Sequence, residues 1–564
     1  MARMWLVDIV MRLTLPYVFV FHYFGAGVRA DIPSPCIPRK YVENSFVCVC
    51  NATDCPEPGR LAPLDILDDF LFVVSSRDKF RFFPGQGLFK PFNLAEMVRE
   101  TPDKTSATCP HRGAPKTLGF THTSPNVKDP GNATLIVNKT ELYQEILGFG
   151  GAMTDAAALT IKTLPEAAQK LLIRSYFSDD GIGYNIARVN MGGCDFSARG
   201  YTLDDYPGDV NLSRFALADE DLNYKIPLLR QAKSLRNDSL FVFASPWTAP
   251  AWMKTNNDLI GMGSLKTEYY QLWADYYLRF AEAYKKENVS LWGVTTQNEP
   301  VDGNIPGFTF NCMGWTGETQ REWVKNNLGP TLRKAGYGDV KIMIFDEQRM
   351  FMPKWPRDIL KDPEAAQYVS GIAVHWYTDF IAPPVLLDLT HAEFPDYWIL
   401  STEACVGFTA NSPHQVPLGD WGQAQSYATD IIQNLNHWVV GWVDWNLVLN
   451  LGGGPNWKAN FVAAPIVVNA SSGEFYKNPT YYAMGHFSKF IPRGSVRIGL
   501  TIQAADEMKK TLQATAFKTP EDTIVLVAIN TDEEPAYMSI QEDKRYINFH
   551  LHGKAIATFV WKYT

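Results

Sequence analysis

Residues 291–300 read LWGVTTQNEP, an apolar run that ends near Glu299, and residues 397–405 read YWILSTEAC, a second run that ends near Glu403. Short apolar runs are typical of buried β-strands, so each segment predicts a strand with a glutamate at its C-terminal end. Hydrolysis of a glycosidic bond requires two such carboxyl groups, one as general acid and the other as nucleophile or base. The pair therefore suggests a glycoside hydrolase, which the rest of the chain can test.

The same pattern of a short apolar run followed by an amphipathic stretch recurs eight times. The predicted strands are residues 146–150, 183–190, 240–245, 291–297, 340–346, 371–377, 398–402 and 439–445. Helical patterns such as 268–286 and 423–438 lie between them. Alternating strands and helices indicate a parallel sheet, and eight units favour a closed (β/α)8 barrel, an α/β fold. A doubly wound open sheet is the alternative, but no Gly-rich dinucleotide loop supports it.

In a barrel of this kind, the active site lies at the C-terminal ends of the strands. Glu403 follows Glu299 by 104 residues. Three units of ~31 residues in a ~250-residue barrel span about 94, so the two glutamates fall on strands 4 and 7. Pro300 keeps residue 299 out of helical geometry, which helps to hold the carboxylate at the strand tip. A solvated loop glutamate is the alternative for either position.

Three more residues at strand ends are candidates for supporting roles. Arg188 ends an apolar run, and a buried arginine needs a carboxylate partner, so it could keep one glutamate ionised. A purely structural ion pair explains Arg188 equally well. His375 and Tyr377 end strand 6 beside strand 7 and could orient Glu403, although many barrel histidines only satisfy a hydrogen bond in the core.

Composition and charge exclude several other classes of protein. The 564 residues contain 46% hydrophobic and 20% charged residues, as expected for a globular chain with a barrel and accessory β modules. The net charge is −8 and no basic stripe is present, which argues against nucleic-acid binding. No His-Glu-x-x-His or other metal-ligand spacing appears, and no Gly-x-Ser-x-Gly elbow indicates a serine hydrolase. No cofactor or metal is expected.

The N-terminal region predicts entry into the secretory pathway. Arg3 and Arg12 precede the apolar residues 13–24, and small residues before position 31 place signal-peptide cleavage after Ala30. The alternative is that this segment stays uncleaved as a membrane anchor. No other stretch of the sequence has the ~20 consecutive apolar residues that are needed to span a bilayer.

Cysteines and sequons agree with secretion. Cys36, Cys48, Cys50 and Cys55 suggest two disulfides in a small loop-rich unit, with three possible pairings and a zinc site as the alternative. Seven Asn-x-Ser/Thr sequons predict a glycoprotein; they begin at Asn51, Asn132, Asn138, Asn211, Asn237, Asn288 and Asn469.

The sequence after the barrel shows clear strand patterns, whereas the sequence before it is hard to interpret. Residues 496–502, 511–515, 523–530 and 556–562 predict strands of an all-β accessory domain. Residues 60–120 are the hardest part of the chain to interpret, and residues 101–128 show no period. The apolar run 64–74 is either a strand of the accessory sandwich or part of a weakly packed insertion, and the insertion is favoured. We expect this segment to contribute nothing to the active site, so that deleting 62–118 should leave catalysis on a soluble glucoside largely intact if the protein still folds.

Taken together, these motifs resemble the lysosomal acid β-glucosidases, the glucosylceramidases of glycoside hydrolase family 30. The matching stretches are GFGGAMTDAAA (148–158), YFS (176–178), GIGYNI (181–186), CDFS (194–197), ASPWT (244–248), NEP (298–300), GIAVHWY (371–377), EACVG (403–407), VDWNL (443–447), GGPNW (453–457) and GHFSKFIP (485–492). The resemblance covers about residues 36–58 and 130–564. It implies a TIM barrel with an accessory β-sandwich and a small disulfide-linked antiparallel β unit.

The resemblance also implies roles for individual residues. Glu299 matches the acid/base and Glu403 the nucleophile of a retaining β-glucosidase that acts on glucosylceramide in the lysosome. The residues that match glucose contacts are Asp195, Trp247, Asn298, Trp445 and Asn460. Phe308, Phe310 and Tyr377 match aromatics near the mouth, and Phe308 stands where the family often has a tyrosine. An aromatic mouth, which also includes Trp315, favours a lipid aglycone.

Partners, disulfides and domain limits follow from the same resemblance. It implies a glycosphingolipid substrate at a membrane surface, an activator of the saposin type and a lysosomal transport receptor. It pairs Cys36 with Cys48 and Cys50 with Cys55, and leaves Cys194, Cys312 and Cys405 free. The expected domains are a signal peptide (1–30), the small unit (31–58 with 447–479), an insertion with accessory strands (59–142), the barrel (143–446 with a helix in 480–494) and the sandwich (495–564).

Between Cys55 and Asn132 the chain is longer than the family and unlike it. The extra residues are either a lineage-specific insertion or translated non-coding sequence. Two other functions stay open at this point. One is hydrolysis of another β-glycoside, such as a xylan or a β-1,6-glucan. The other is a catalytically inactive paralogue that binds lipids or glycans, although a binder has no need of both glutamates.

Overall fold

The computed structural model describes residues 36–60, 64, 66–91, 132–408 and 416–564. The predicted signal peptide, Cys109 and residues 92–131 lie outside the described residues, as do 409–415.

Eight parallel strands close into a barrel, each hydrogen-bonded to its neighbours in chain order, with strand 8 returning to strand 1. The predicted (β/α)8 barrel is confirmed, with strand ends shifted by a few residues. The strands are Gly148–Ala152, Ile186–Met191, Phe241–Pro246, Gly293–Thr295, Lys341–Gln348, Val369–His375, Trp398–Glu403 and Val439–Asn446. They read as continuous apolar runs because both faces are covered, one by the barrel interior and one by helices.

The helices that surround the barrel include the two recognised from their period, Tyr270–Lys286 and Trp421–Asn436. The longer helix buries Trp273, Tyr277 and Phe280 along one side, as their spacing predicts. In the part of the chain that the structure describes, the remaining α-helices are Asp155–Lys162, Glu166–Phe177, Ile226–Leu235, Gly317–Trp323, Gly329–Lys334, Lys354–Leu360, Pro363–Ala366, Val385–Glu393, Pro479–Ser488 and Asp506–Thr511. No helix among the described residues is both long enough and apolar enough to cross a membrane.

The accessory domain is a sandwich built from one ten-stranded sheet. In sheet order its strands are Phe83–Leu88, Asp69–Ser76, Ala555–Lys562, Thr523–Asn530, Leu512–Lys518, Val496–Ala504, Asn132–Glu145, Ala536–Glu542, Arg545–Leu551 and Lys90–Pro91. Side chains from both halves of the sheet pack into a single apolar cluster, so the sheet folds over on itself. The four predicted C-terminal strands are present, and Ala536–Glu542 and Arg545–Leu551 were not predicted.

The favoured interpretation of residues 64–74 as a weakly packed insertion is wrong. Asp69–Ser76 pairs with Ala555–Lys562 along its length and forms an inner strand of the sheet. Phe70 and Phe72 point into the sandwich core, whereas Val73 and Ser75 face the barrel side, where the Ser75 hydroxyl lies 2.9 Å from His486 Nε2. Deleting 62–118 would therefore remove strands that join the two domains, so the variant should not meet the folding condition on which its expected catalysis depends.

A small five-stranded sheet combines the N-terminal segment with residues that follow the barrel. Its strands, in order, are Pro38–Val42, Ser45–Cys50, Glu474–Lys477, Ile466–Asn469 and Val448–Asn450. The unit is not wholly antiparallel as expected, because the last two strands run parallel. Disulfides join Cys36 to Cys48 and Cys50 to Cys55, which confirms the pairing, and Cys194, Cys312 and Cys405 are free and buried. None of the seven sequon asparagines is buried.

Candidate active site

The two glutamates lie at the C-terminal end of the barrel, on strands 4 and 7. Glu299 comes four residues after strand Gly293–Thr295, and Glu403 is the last residue of Trp398–Glu403. Glu299 has a φ of +41°, in the left-handed region that residues with side chains rarely adopt. Its N–H donates to the carbonyl of Asp346 at 2.9 Å. Pro300 was expected to keep residue 299 out of helical geometry, and the φ of Glu299 indeed lies outside the right-handed helical region.

The carboxyl groups of Glu299 and Glu403 face each other at close range. One oxygen of each, together with a ring nitrogen of His375, falls within a mutual distance of 4.8 Å. The side chains are 12% and 6% exposed, so both carboxyl groups are largely removed from water. A gap of this size leaves room for a sugar carbon between them.

Arg188 is the buried cation of the site. Its guanidinium contacts a carboxylate oxygen of Glu403 and lies 3.0 Å from Asp346 Oδ2. It also donates to the side-chain oxygens of Asn298 at 2.8 Å and Ser245 at 3.1 Å. All of these contacts come from residues on barrel strands or at their ends. They hold the Arg188 guanidinium in place, and Arg188 in turn orients Glu403.

Tyr377 and His375 contact different carboxylates. The Tyr377 hydroxyl donates to Glu403 Oε1 at 2.8 Å, as the expected orienting role requires. His375 does not hydrogen-bond Glu403: its Nδ1 lies 3.1 Å from Glu299 Oε1, and its Nε2 lies 3.1 Å from Asp346 Oδ1. The expectation that His375 orients Glu403 is therefore wrong, and the ring instead links Glu299 to Asp346.

Four of the five residues assigned to glucose contacts line the same cavity, which encloses about 260 Å³: Asp195, Trp247, Trp445 and Asn460. The fifth, Asn298, is not among the lining residues, and its side-chain oxygen accepts a hydrogen bond from Arg188. Trp247 and Trp445 stack with ring centroids 5.1 Å apart and form an apolar wall. On the polar side, Asp195 Oδ2 accepts hydrogen bonds from Asn460 Nδ2 at 3.0 Å and Asn456 Nδ2 at 3.2 Å. This volume lies just below the ~300–1,000 Å³ of drug-sized ligand pockets and suits a single sugar ring better than a glycan chain.

The mouth of the cavity is apolar. Phe308 and Phe310 pack edge to face at 4.5 Å, and Phe408 packs on Tyr377 at 5.0 Å. Phe408 also borders a neighbouring groove that contains Phe380, which is 77% exposed. Trp315, expected at the mouth, is instead buried between Tyr270 and Trp323.

Residues 146–491 match the model of the glycosyl hydrolase family 30 TIM-barrel domain, and residues 494–559 match that of the family's beta sandwich domain. The barrel match alone covers more than half of the chain. The chain belongs to glycosyl hydrolase family 30. It is therefore a glycoside hydrolase.

Family 30 relatives align with almost the whole chain. The chain is 40% identical to the lysosomal acid glucosylceramidase of Mus musculus, across 96% of this chain and 98% of that protein. It is 44% identical to putative glucosylceramidase 4 of Caenorhabditis elegans, across 97% and 98% of the two chains. A solved endo-β1,6-glucanase superposes with a TM-score of 0.73 at 26% identity, covering 88% of this chain and all of that one.

The family 30 site holds more buried carboxyl groups than cations. Arg188 and His375 face Glu299, Glu403 and Asp346, and Arg188 together with the His375 ring keeps the pKa of Asp346 far below its usual range despite burial. Although burial works against protonation of His375, Glu403 and Asp346 raise its pKa to about 10. These carboxylates therefore favour the protonated form of the imidazole.

The charge on Glu299 and the charge on Glu403 affect each other's pKa. Burial raises the pKa of Glu299, but hydrogen bonds from His375 and from the carboxyl group of Asp302 lower it, and the net pKa lies below the usual value. Burial raises the pKa of Glu403, and Glu299 adds to this by repulsion, while Arg188, His375 and Tyr377 oppose both. A proton on Glu299 removes the repulsion, and the remaining contacts then hold Glu403 ionised.

Sequence reasoning missed several groups around Glu299. Gln348 Nε2 donates to Glu299 Oε1 at 2.7 Å, and Asp302 lines the cavity beside it. Glu347 accepts from the N–H of Val301 at 2.9 Å. The signal available was position: Glu347 and Gln348 end strand 5, next to strand 4, and Asp302 follows Glu299 by three residues. Only the general rule on strand ends pointed to these residues.

Proposed function

We propose that the protein is a retaining β-glucosidase that hydrolyses glucosylceramide to glucose and ceramide, with Glu403 as nucleophile and Glu299 as acid/base. The observation that carries the proposal is the close approach of the two carboxyl groups, with oxygens within 4.8 Å. Retaining enzymes separate these groups by ~5–5.5 Å, whereas inverting enzymes need ~6.5–9.5 Å to admit a water molecule.

The reaction proceeds in two displacements. A carboxylate oxygen of Glu403 forms a bond to the anomeric carbon as the bond to the ceramide oxygen breaks, and Glu299 gives its proton to that oxygen. Water then attacks the glucosyl-enzyme, Glu299 takes its proton, and Glu403 leaves as a carboxylate. Contacts from Arg188 and Tyr377 support Glu403 as the nucleophile because both stabilise its ionised form.

The nature of the aglycone is inferred from the mouth and from the relatives. The mouse and nematode relatives are named as glucosylceramidases. A cavity for one sugar ring that opens onto Phe308, Phe310 and Phe408 fits a glucose with an apolar substituent. We assign the protein to the lysosomal lumen, where it meets its lipid at a membrane surface, with a saposin-type activator and a transport receptor as partners.

Hydrolysis of a β-1,6-glucan is the second candidate, because the fold superposes on a solved endo-β1,6-glucanase. An endo-acting enzyme needs an open cleft with sugar sites on both sides of the scissile bond. The single-ring cavity favours the lipid substrate over that alternative.

The test is turnover by the secreted, glycosylated protein at about pH 5. Substrates are glucosylceramide in anionic vesicles, an aryl β-glucoside and β-1,6-gluco-oligosaccharides, with Glu403→Gln as the inactive control. Proton NMR of the first product should show β-glucose from both glucosides, which reports retention. Initial release of α-glucose, faster cleavage of the oligosaccharides than of the lipid, or stoichiometric binding without turnover would each contradict the proposal.

A further inference from the structure

Asp302 lies beside the acid/base glutamate in a loop that follows barrel strand 4. It begins the short 3-10 turn Asp302–Asn304, and its N–H donates to the carbonyl oxygen of Glu299 at 3.1 Å. Its side chain lines the same cavity as Glu299 and Glu403. The backbone contact holds the two residues in one tight turn, which brings their side chains to the same part of the cavity.

The carboxyl groups of Asp302 and Glu299 are in hydrogen-bond contact. Two ionised carboxylates only accept hydrogen bonds, so this contact requires a proton between them. After Glu299, the charged groups that act most strongly on Asp302 are also acidic: the carboxyl of Glu347 and the thiol of Cys312. Within the described residues no cation forms an ion pair with Asp302, and the shared proton is therefore what keeps the contact together.

We propose that Asp302 is a positioning residue that stores the proton of the acid/base, so that Glu299 and Asp302 work as one singly protonated carboxyl pair. The inference rests on the acid/base role proposed for Glu299. The pair gives its one proton to the leaving oxygen in the first displacement. It regains one proton from water in the second, so the cycle closes without any further donor.

Electrostatics agrees with this arrangement. Burial, with the nearby charges of Glu299 and Glu347, raises the pKa of Asp302 to about 11. In the empty site the proton therefore lies on Asp302 and stabilises ionised Glu299 through the hydrogen bond. Transfer between hydrogen-bonded oxygens needs only a small movement, so the proton is available to Glu299 when a leaving oxygen approaches.

The pair is surrounded by charges that also titrate or act on it. His375 contacts Glu299 from strand 6, Glu347 repels it from strand 5, and Glu403 and Arg188 face it across the cavity. Asp346 lies behind His375, and Asp195 lies on the far wall. A single carboxyl beside the His375 cation would lose its proton at low pH. A pair that shares one proton keeps it to higher pH, because its second ionisation must place two negative charges side by side.

The pair makes a specific prediction for the variant Asp302→Asn. The amide keeps the size and can still donate to Glu299, but it cannot supply a proton. The alkaline limb of kcat/KM, which the shared proton holds above neutral pH in the wild type, should move below neutral pH in the variant, with at least a tenfold loss at pH 7 to 8 and little loss at pH 4.5. Asp302→Glu should restore the limb towards the wild-type position, and Asp396→Asn, an exposed aspartate elsewhere, should leave it unchanged.

The measurement is the pH profile of kcat/KM for an aryl β-glucoside with a poor leaving group, from pH 4 to 8. A purely structural role for Asp302 predicts a loss of equal size at every pH and an unmoved limb, and that result would overturn the proposal. A second measurement does not depend on activity. The infrared difference spectrum of wild type against Asp302→Asn at neutral pH should contain a protonated-carboxyl band, and its absence would also overturn the proposal. An inactive wild type would instead refute the proposed function, leaving the band as the test of the shared proton.

Discussion

At the scale of single residues, the backbone is strained at and beside Glu299, one of the two glutamates proposed to act in catalysis. Glu299, Phe345 and Asp346 all have positive φ values, and the register between strands 5 and 6 shifts at Phe345. Each such conformation costs about 1–3 kcal/mol and persists only where its surroundings enforce it. Here the N–H of Glu299 donates to the carbonyl of Asp346, so two strained residues hold each other in place. The bulge turns Asp346 towards Arg188 and His375.

The two glutamates should respond differently to the same substitution. Glu299→Gln removes the proposed proton donor, so activity on a poor leaving group should fall by about 10²–10⁴-fold, with a much smaller effect on a good one such as dinitrophenol. Glu403→Gln removes the proposed nucleophile and should abolish turnover of both substrates. Steady-state kinetics on the two aryl glucosides checks this, and an equal loss for both substrates in Glu299→Gln would contradict its acid role.

Which residues of the site can be predicted from the sequence depends on whether their positions follow from the order of the strands. Glu299 and Glu403 could be placed because each ends a strand whose position in the barrel follows from chain order. The hydrogen-bond partner of His375 could not be predicted. Strand 6 lies between the strand that carries Asp346 and the strand that carries Glu403, and the sequence does not indicate towards which of them the imidazole ring turns. Asp302 was missed because an aspartate in a loop is ordinarily solvated, and nothing local indicates burial.

At the scale of elements, strand Asp69–Ser76 joins the sandwich to the barrel. The loop that follows it places Phe82 against the helix Pro479–Ser488, where its ring stacks on His486 at 4.9 Å and is 4% exposed. The strand was hard to recognise because both of its faces are buried, which removes the polar alternation expected of a half-exposed strand. Its partner, Ala555–Lys562, lies at the other end of the sequence.

This junction can be tested with two adjacent phenylalanines. Phe82→Ala should destabilise the protein by about 3–5 kcal/mol, because it opens a cavity between strand and helix. Phe83→Ala, in which the side chain is 40% exposed, should change stability by no more than ~0.5 kcal/mol. Denaturant unfolding measures both, and similar values for the two variants would show that the segment does not hold the domains together.

At the scale of the whole molecule, buried acids dominate the pH dependence. Burial raises the pKa of Asp195 and Glu347 to about 7, of Asp444 to about 8 and of Asp379 to about 9. A carboxyl whose pKa is higher in the folded state stabilises the fold most below its unfolded value, near 4. That contribution is lost as the pH rises through the folded value. Buried His486, with a pKa lowered to about 3, acts in the opposite sense below pH 6.5.

Thermal stability should therefore be greater near pH 5 than at pH 7.5, with a melting temperature that falls by several degrees between them. Asp444→Asn removes one of the titrating acids and should make this fall smaller. Differential scanning fluorimetry across the pH range measures both slopes. A melting temperature that rises from pH 5 to 7.5 would show that other groups control the balance.

The barrel and the sandwich differ in how much the sequence could indicate. Each barrel strand pairs with the next strand in the chain, so a local repeat of strand and helix was enough to predict closure. The sandwich places Asn132–Glu145 between Val496–Ala504 and Ala536–Glu542, across the whole barrel in sequence. Pairing at that distance leaves no local pattern. The two missed strands, Ala536–Glu542 and Arg545–Leu551, pair with each other as a hairpin, so distance along the chain does not explain why they were missed.

The N-terminal hairpin has a consequence for how the chain is made. Strand Ser45–Cys50 leaves the ribosome early, but its partner Glu474–Lys477 follows roughly 400 residues later. At ~5–20 residues per second, that is a wait of about 20–80 seconds with an unpaired strand edge exposed to other nascent chains. The disulfides Cys36–Cys48 and Cys50–Cys55 close over short distances in sequence and need nothing that is synthesised later. They can preserve the shape of this piece until the end of translation supplies its neighbour.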